Sequence, residues 1–305
     1  MAKEAVLLLK EGVLDAVAIC EVDGKRLESF KFANAELLKD LVNVKYYSDI
    51  DDAIKDGINF AHICTQNSIH LEMARKMMQN KIPFIVEKPV SDKLAEIDQI
   101  EELANANPNV IAKNGLVFRF DNSMKGIKEI YGSGALGKVY FVRFYWEFSR
   151  QYMEGVDIIW DLMPHLVDIF HFITGEKSHL VSGSKTQFRR KSGAELGTIV
   201  LETDSGVKGI FNVSWFSTRK NRLIEVFGDK KILGADLLSQ SVILYDSNDL
   251  AKSEAVTIVK NNTIRDELMN LIADAQSGRN TVNNIEIGID IARYLDKIDR
   301  ESKDF

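Results

Sequence analysis

Pro83-Phe84-Ile85-Val86-Glu87-Lys88-Pro89 is the stretch that decides how this chain folds. A short apolar run closed by a charged pair and a proline reads as a strand buried on both faces, the kind found inside parallel sheets. The proline keeps Lys88 extended and ends the strand there. Open α/β sheets hold their ligands at the carboxyl ends of their strands, so Lys88 is expected to point into such a crevice. Desolvated there, its amine is expected to lose basicity and to serve acid–base chemistry.

Working outward, the same alternation repeats. Leu14–Cys20, Val44–Tyr47, Phe60–Cys64, Phe84–Glu87 and Val110–Asn114 read as strands. Helical patterns fall between them at 35–41, at 49–55 with Ser48 as N-cap, at 69–79, and at 91–105 with Ser91 as cap. Residues 1–10 read as an amphipathic helix. Strands and helices in alternation predict right-handed crossovers and a parallel sheet, placing Glu21, Thr65 and Glu87 at three strand ends. After about residue 120 the pattern changes to a helix at 123–131, a long strand at 138–146, a helix at 160–173, then strands at 180–187, 196–203, 207–214, 223–227 and 242–246 and closing helices at 264–276 and 285–299. The expected architecture is α/β: a Rossmann-type domain over 1–120 and an α+β domain with an open, mainly antiparallel sheet over 121–305.

The 305 residues are 45% hydrophobic with a formal charge of -6. That suits one large or two medium globular domains with a substantial core. An acidic balance without basic runs argues against nucleic acid, and no apolar stretch reaches membrane-spanning length. Cys20 and Cys64 read as two buried thiols of a reducing cytoplasm.

A second stretch carries chemistry, Trp160-Asp161-Leu162-Met163-Pro164-His165. Asp161 and His165, four apart, share one face of a helix, and Asp168 is also within reach of the imidazole. A carboxylate that fixes the tautomer leaves the other ring nitrogen for substrate. No third ligand has convincing spacing, so no metal is assigned here. Gly132-Ser133-Gly134-Ala135-Leu136-Gly137 matches the dinucleotide fingerprint by letter. A helix precedes it and a strand follows, the reverse of what phosphate binding needs, so it reads as a helix-to-strand link. Glu21 after its strand suits the adenosine ribose hydroxyls and favours NAD over NADP, an argument weakened by the nearby Lys25 and Arg26. The loop Thr65-Gln66-Asn67-Ser68-Ile69-His70 reads as a turn and helix cap that can also line a cofactor pocket.

Taken together, the 62–70 run, Glu87-Lys88-Pro89, Gly115-Leu116-Val117-Phe118-Arg119-Phe120 and Asp161-x-x-x-His165 resemble the glucose-fructose oxidoreductase / inositol dehydrogenase family over nearly the whole chain. The resemblance implies an N-terminal Rossmann domain, a C-terminal domain whose open sheet mediates homodimer or homotetramer formation, and hydride exchange between NAD(P) and a sugar or cyclitol carbinol. It assigns catalysis to Lys88, Asp161 and His165. Cofactor contacts fall to Glu21, Thr65, Asn67, His70, Glu87 and Lys88, with Glu87 on the nicotinamide ribose. Arg119 and Arg222 are the implied substrate contacts. Asn212-Val213-Ser214-Trp215, Arg222, Gly228 and the 235–240 run resemble the branch acting on nucleotide sugars, such as UDP-N-acetylglucosamine 3-dehydrogenases. The family's first strand and glycine loop have no counterpart ahead of the 1–10 helix. Three arrangements account for this: an internal methionine of a longer protein, which is the preferred reading, a natural short form with weak or no cofactor binding, or a sheet that closes around the gap.

Overall fold

A computed structural model describes residues 1–149, 156–189 and 193–304. Helix α1 (Ala2–Lys10) turns Val6 and Leu8 inward. Strand β1 (Val17–Cys20) follows, then α2 (Gly24–Ala33), α3 (Ala35–Leu38) and β2 (Val44–Tyr47). Helix α2 is absent from the sequence reading because none of its residues is buried and it has no apolar stripe. It is started instead by Asp23, whose carboxylate accepts from the amides of Lys25 and Arg26. Helix α4 (Ile50–Lys55) is capped by Asp49, not Ser48. After β3 (Ala61–Ile63), a short 3₁₀ turn leads into α5 (His70–Gln79), then β4 (Phe84–Val86), α6 (Leu94–Ala106) and β5 (Ala112–Asn114). Helix α6 begins later than expected. Ser91 does not cap it, but accepts from the Lys93 amide at 3.2 Å and donates to Glu96 at 2.6 Å.

The pairing is parallel throughout this half, as expected, but the sheet comes in two parts. Strands β1 and β2 form one ladder and β3, β4 and β5 another, with no pairing between β1 and β3. Both β1 and β3 are therefore edge strands. This corrects the expectation for the cysteines: Cys20 and Cys64, at the carboxyl ends of these two edges, both reach solvent. The apolar runs were real, but burial needs a neighbouring strand on each side.

The second half is built on one nine-stranded sheet. Helix α7 (Asn122–Gly132) leads through Gly134 and Gly137, at φ 73° and 74°, into β6 (Val139–Glu147), so the glycine motif is a helix-to-strand link. Helix α8 (Ile158–Thr174) follows, then β7 (Ser178–Thr186), β8 (Leu196–Thr203), β9 (Lys208–Ser214), β10 (Asn221–Gly228), β11 (Lys231–Asp236), β12 (Ser241–Asp246) and β13 (Asp249–Val256). With the terminal β14 (Lys303–Asp304) the order is β13-β12-β11-β10-β6-β9-β8-β7-β14. All pairs are antiparallel except β6 with β9 and β7 with β14. Helix α8 covers one face. Eleven of its residues are buried, all apolar but Asp168. At about 1.5–3 kcal/mol per large buried side chain, that burial outweighs the roughly 3 kcal/mol cost of Pro164 inside the helix.

Helices α9 (Thr263–Ser277) and α10 (Ile285–Glu301) close the chain. Helix α10 joins both cores: Ile285, Ile289 and Ala292 pack with β4, while Ile291, Leu295 and Ile298 pack with α8 and the large sheet. It approaches β5 closely at Gly288, where a Cβ would stand 2.5 Å from Cγ and Oδ1 of Asn114. Asn114 in turn donates to the Val86 carbonyl at 2.9 Å, next to Glu87. Gly288→Ala should therefore destabilise the protein by about 1–3 kcal/mol through overpacking. Urea unfolding measures this, and an unchanged midpoint would contradict the close approach.

Candidate active site

Strand β4 is fully buried, and its ladder runs on past Val86: the Glu87 amide donates to the Ile63 carbonyl at 3.0 Å. Glu87 is thus held level with Cys64, and Lys88 emerges at the carboxyl edge ahead of a cis peptide bond to Pro89. The Lys88 Nζ crosses to the first turns of α8. It donates to the Asp161 backbone carbonyl at 2.6 Å and stands 3.4 Å from Asp161 Oδ1. Pro164 has no N–H to offer the Trp160 carbonyl and its ring crowds it, which loosens this turn. Lys88 takes the very next carbonyl.

One turn further along α8, His165 is enclosed by aromatic rings. Phe118, from the 3₁₀ turn after β5, meets it edge-on at 5.1 Å, and Trp146 of β6 lies over it at 6.3 Å. Arg222 of β10, paired across the ladder with Trp146, sits 4.8 Å above that indole and 5.7 Å from Phe118. Burial, then the charge of Lys88, then that of Arg222 hold the His165 imidazole well below the usual histidine range. The ring is therefore neutral at physiological pH, as a proton acceptor must be. Its Nδ1 and the Arg222 Nε are both buried without a hydrogen-bond partner. Lys88, Asp161 and His165 thus come together, and Arg222 joins them. From Arg222 a cavity of about 420 Å³ opens past Ser149, Ser217, Thr218, Arg219 and Lys220.

Arg119 and Asp168 are placed differently. Asp168, expected within reach of His165, is buried and bonded to Arg119, with Nε at 2.8 Å and Nη2 at 2.6 Å from Oδ1. Burial pushes the Asp168 carboxyl up, and Arg119 acts against that. The Arg119 guanidinium is committed to this pair and lies over the Phe172 ring at 5.5 Å.

The expected cofactor residues line the carboxyl edge. Glu21 follows β1, its amide donating to the Tyr47 carbonyl and its Oε1 accepting from the Asp23 amide, both at 3.0 Å. Thr65 is exposed and Asn67 half-buried. His70 is 1% exposed, and both its ring nitrogens face protein carbonyls: Nδ1 that of Pro89 at 3.0 Å, Nε2 that of Thr65 at 3.2 Å. It ties the 65–70 loop to the Lys88–Pro89 turn. Glu87 keeps 27% of its side chain exposed and meets His62 Nε2 at 3.0 Å. Burial works to raise its pKa, but the His62 hydrogen bond and the charges of His62 and Lys88 prevail and hold it below the ordinary carboxylate range. Gly115 makes its seat, since a Cβ there would lie 2.8 Å from Glu87 Oε2. An ionised, partly exposed carboxylate at a strand end fits the hydroxyls of a nucleotide ribose.

Beneath this edge, α9 supplies a second carboxyl. Both oxygens of Glu267 are buried without a hydrogen-bond partner, as is Oδ1 of Asn283. Burial, then the charge of Glu87, push the Glu267 carboxyl up to about 8. Asn283, which favours the ionised carboxylate, acts against that rise without overcoming it.

Sequence reading missed His62, Phe118, Trp146, Glu267, Arg219 and Lys220. The alternation His62-x-Cys64 beside Glu87 was a usable signal for the first, because residues two apart on a strand share a face. The Trp146–Arg222 pair was not readable, because it depends on the register between two strands that brings together residues 76 apart in sequence.

A parallel α/β half that delivers a lysine to a helix of a large mixed-sheet half is the architecture of two-domain dehydrogenases. The chain belongs to the GFO/IDH/MocA oxidoreductase family: residues 3–114 match its NAD-binding Rossmann-fold domain and residues 124–233 its C-terminal domain. It is 27% identical over 210 residues to D-apiose dehydrogenase of Rhizobium rhizogenes, a match covering 65% of this chain and 58% of that protein. It is also 27% identical over 216 residues to myo-inositol 2-dehydrogenase of Thermotoga maritima, covering 66% of this chain and 63% of the relative. The matches thus span less than two thirds of these relatives. The fold is shared with UDP-N-acetylglucosamine 3-dehydrogenase of Acidithiobacillus ferrooxidans, with a TM-score of 0.75 at 17% identity over 94% of this chain and 97% of that one. No helix among the described residues is long and apolar enough to cross a membrane.

Glu267 has a consequence for stability. Its ordinary pKa is 4.5 and its folded value about 8, so between these the folded state holds the proton more tightly than the unfolded chain. Stability should then fall as pH rises through that window, by up to about 1.4 kcal/mol per pH unit. Glu267→Gln keeps the shape of the side chain and removes the titration. Its stability relative to wild type should rise between about pH 5 and about pH 9 in urea titrations. Parallel pH profiles would contradict a buried neutral Glu267.

Proposed function

We propose that this chain is an NAD(P)-dependent dehydrogenase oxidising a sugar carbinol, with a nucleotide-linked hexose as substrate. The observation that carries the reading is the convergence of the Lys88 amine and the neutral His165 imidazole, linked through Asp161. The cofactor would be held by Glu21, Thr65, Asn67 and Glu87, with His70 fixing the loop. When bound, NAD or NADP supplies the hydride acceptor. His165 accepts the proton of the substrate hydroxyl as the carbinol is oxidised. Lys88 hydrogen-bonds the same oxygen and stabilises its developing negative charge. Asp161 holds the Lys88 amine in place through its carbonyl. The aromatic rings of Phe118 and Trp146 exclude water from His165 and keep it neutral.

The substrate class rests on the cavity beyond Arg222. Arg219, Lys220 and Arg222 with Ser149, Ser217 and Thr218 form a cationic, hydroxyl-rich wall suited to a diphosphate. A free sugar or cyclitol is the second reading, supported by the names of the apiose and inositol dehydrogenases among the relatives. The enzyme would work in the cytoplasm as a homodimer or homotetramer. Phe141, Phe227 and Arg143, stacked on the outer face of the large sheet, would meet a second copy.

Turnover of the purified chain on nucleotide sugars, free sugars and cyclitols with NAD and with NADP tests this. His165→Ala should lower kcat about 10²–10⁴-fold, and Lys88→Ala about 10²–10³-fold, with folding retained by circular dichroism. Near-normal turnover in either variant would remove that residue from its role. Lys220→Ala should raise KM for a nucleotide sugar about tenfold and leave a free sugar unaffected. Absence of saturable NADH binding would favour a silent sugar-binding protein.

A further inference from the structure

We propose that His62, Cys64 and Glu87 form a binding site for a zinc ion at the carboxyl edge of β3 and β4. The sheet itself builds the trio. His62 and Cys64 are two apart on a strand and so project from the same face. The parallel register sets Ile63 against Val86, and the Glu87 amide bonds the Ile63 carbonyl, which brings Glu87 level with Cys64. A ring nitrogen, a sulfur and a carboxylate oxygen from these three residues all lie within 4.8 Å of one another. His62 Nε2 and Glu87 Oε1 are already 3.0 Å apart. Ligand atoms about 2.0–2.3 Å from zinc at tetrahedral angles stand roughly 3.3–3.8 Å from each other, so side-chain rotation alone closes the remaining gap.

The donor set selects the ion. Thiolate, imidazole and carboxylate together suit zinc, whereas calcium and magnesium take oxygen ligands. Three protein ligands leave a fourth position for water, the arrangement of open zinc sites. The Cys64 side chain reaches solvent. A carboxylate oxygen among the three ligands suits a cation as well. The plainer arrangement, a histidine–carboxylate hydrogen bond beside a bystander thiol, places the same atoms without a cation, and the two give opposite results on titration. Glu87 also serves the cofactor in the proposed function, but the zinc site stands without that reading and is tested without NAD.

The full 305-residue chain, stripped with a chelator, would be titrated with Zn²⁺ against a chromophoric competitor and separately with Co²⁺. The expected result is one equivalent of Zn²⁺ per chain and a thiolate-to-cobalt charge-transfer band in the near ultraviolet. Loss of an outer-shell partner of a bound metal costs about 10–100-fold in affinity, so loss of a direct ligand costs at least that. Cys64→Ser should abolish the cobalt band and weaken Zn²⁺ at least about tenfold, and His62→Gln should weaken Zn²⁺ to the same degree. Cys20→Ser should change neither. Unaltered urea midpoints in the metal-free variants would assign the loss to the site itself. Absence of stoichiometric Zn²⁺ binding, or binding that survives both Cys64→Ser and His62→Gln, would overturn the proposal.

Discussion

The contact between Lys88 Nζ and the Asp161 carbonyl, 2.6 Å long and spanning 73 residues of sequence, is what the site depends on. It ties the end of a buried strand in the parallel half to the first turns of the helix that covers the large sheet. Each side is fixed for reasons of its own. Strand β4 is immobilised by burial on both faces, and α8 by its apolar packing. A lysine on a loop would have to lose several rotamers to reach the same point, whereas Lys88 starts from a strand end whose direction is set. Proline plays a part at both ends, stopping the strand after Lys88 and loosening the turn that offers Asp161.

The electrostatics follow from that tie. Bringing one ammonium beside His165, with a guanidinium on the other side, is unfavourable for an imidazolium and neutral for an imidazole. Burial between Phe118 and Trp146 acts in the same direction. The same rings carry Arg222 by cation–π contact, so one aromatic cluster both strips water from the base and seats a cation near it. The negative charge lies on the other side of the strand edge, at Glu87, with the protonated Glu267 beneath it. The site is therefore polarised across the end of β4, cations toward α8 and carboxyls toward β3.

What the sequence revealed follows physical lines. Strand β2 and strand β8 were legible to the residue, because both carry strand-forming runs bounded by turn residues. The candidate lysine, carboxylate and histidine were legible because each sits on a short local pattern. Helix α2 was hidden by its lack of any buried face. Strand β11 was hidden by the glycine in its middle, and β13 by an exposed, charge-rich edge. Ser48 and Ser91 were plausible caps that lost to neighbours: Asp49 takes the amide at the start of α4, and Ser91 is drawn to Glu96. The cage around His165 was beyond reach, and at His62 only the face shared with Cys64 was readable, for one reason. Each is made by strand register, which sequence pattern constrains only to a face and not to a partner.

The convergence of Lys88 and His165 is most directly tested without substrate or cofactor. Nuclear magnetic resonance titration of the histidine rings, with His165→Gln assigning the signal among the five histidines, reads the His165 pKa in wild type and in Lys88→Met. Since the lysine charge is one of the forces holding the imidazole deprotonated, its removal should raise that pKa. A titration curve that does not move would place the two groups apart and contradict the account.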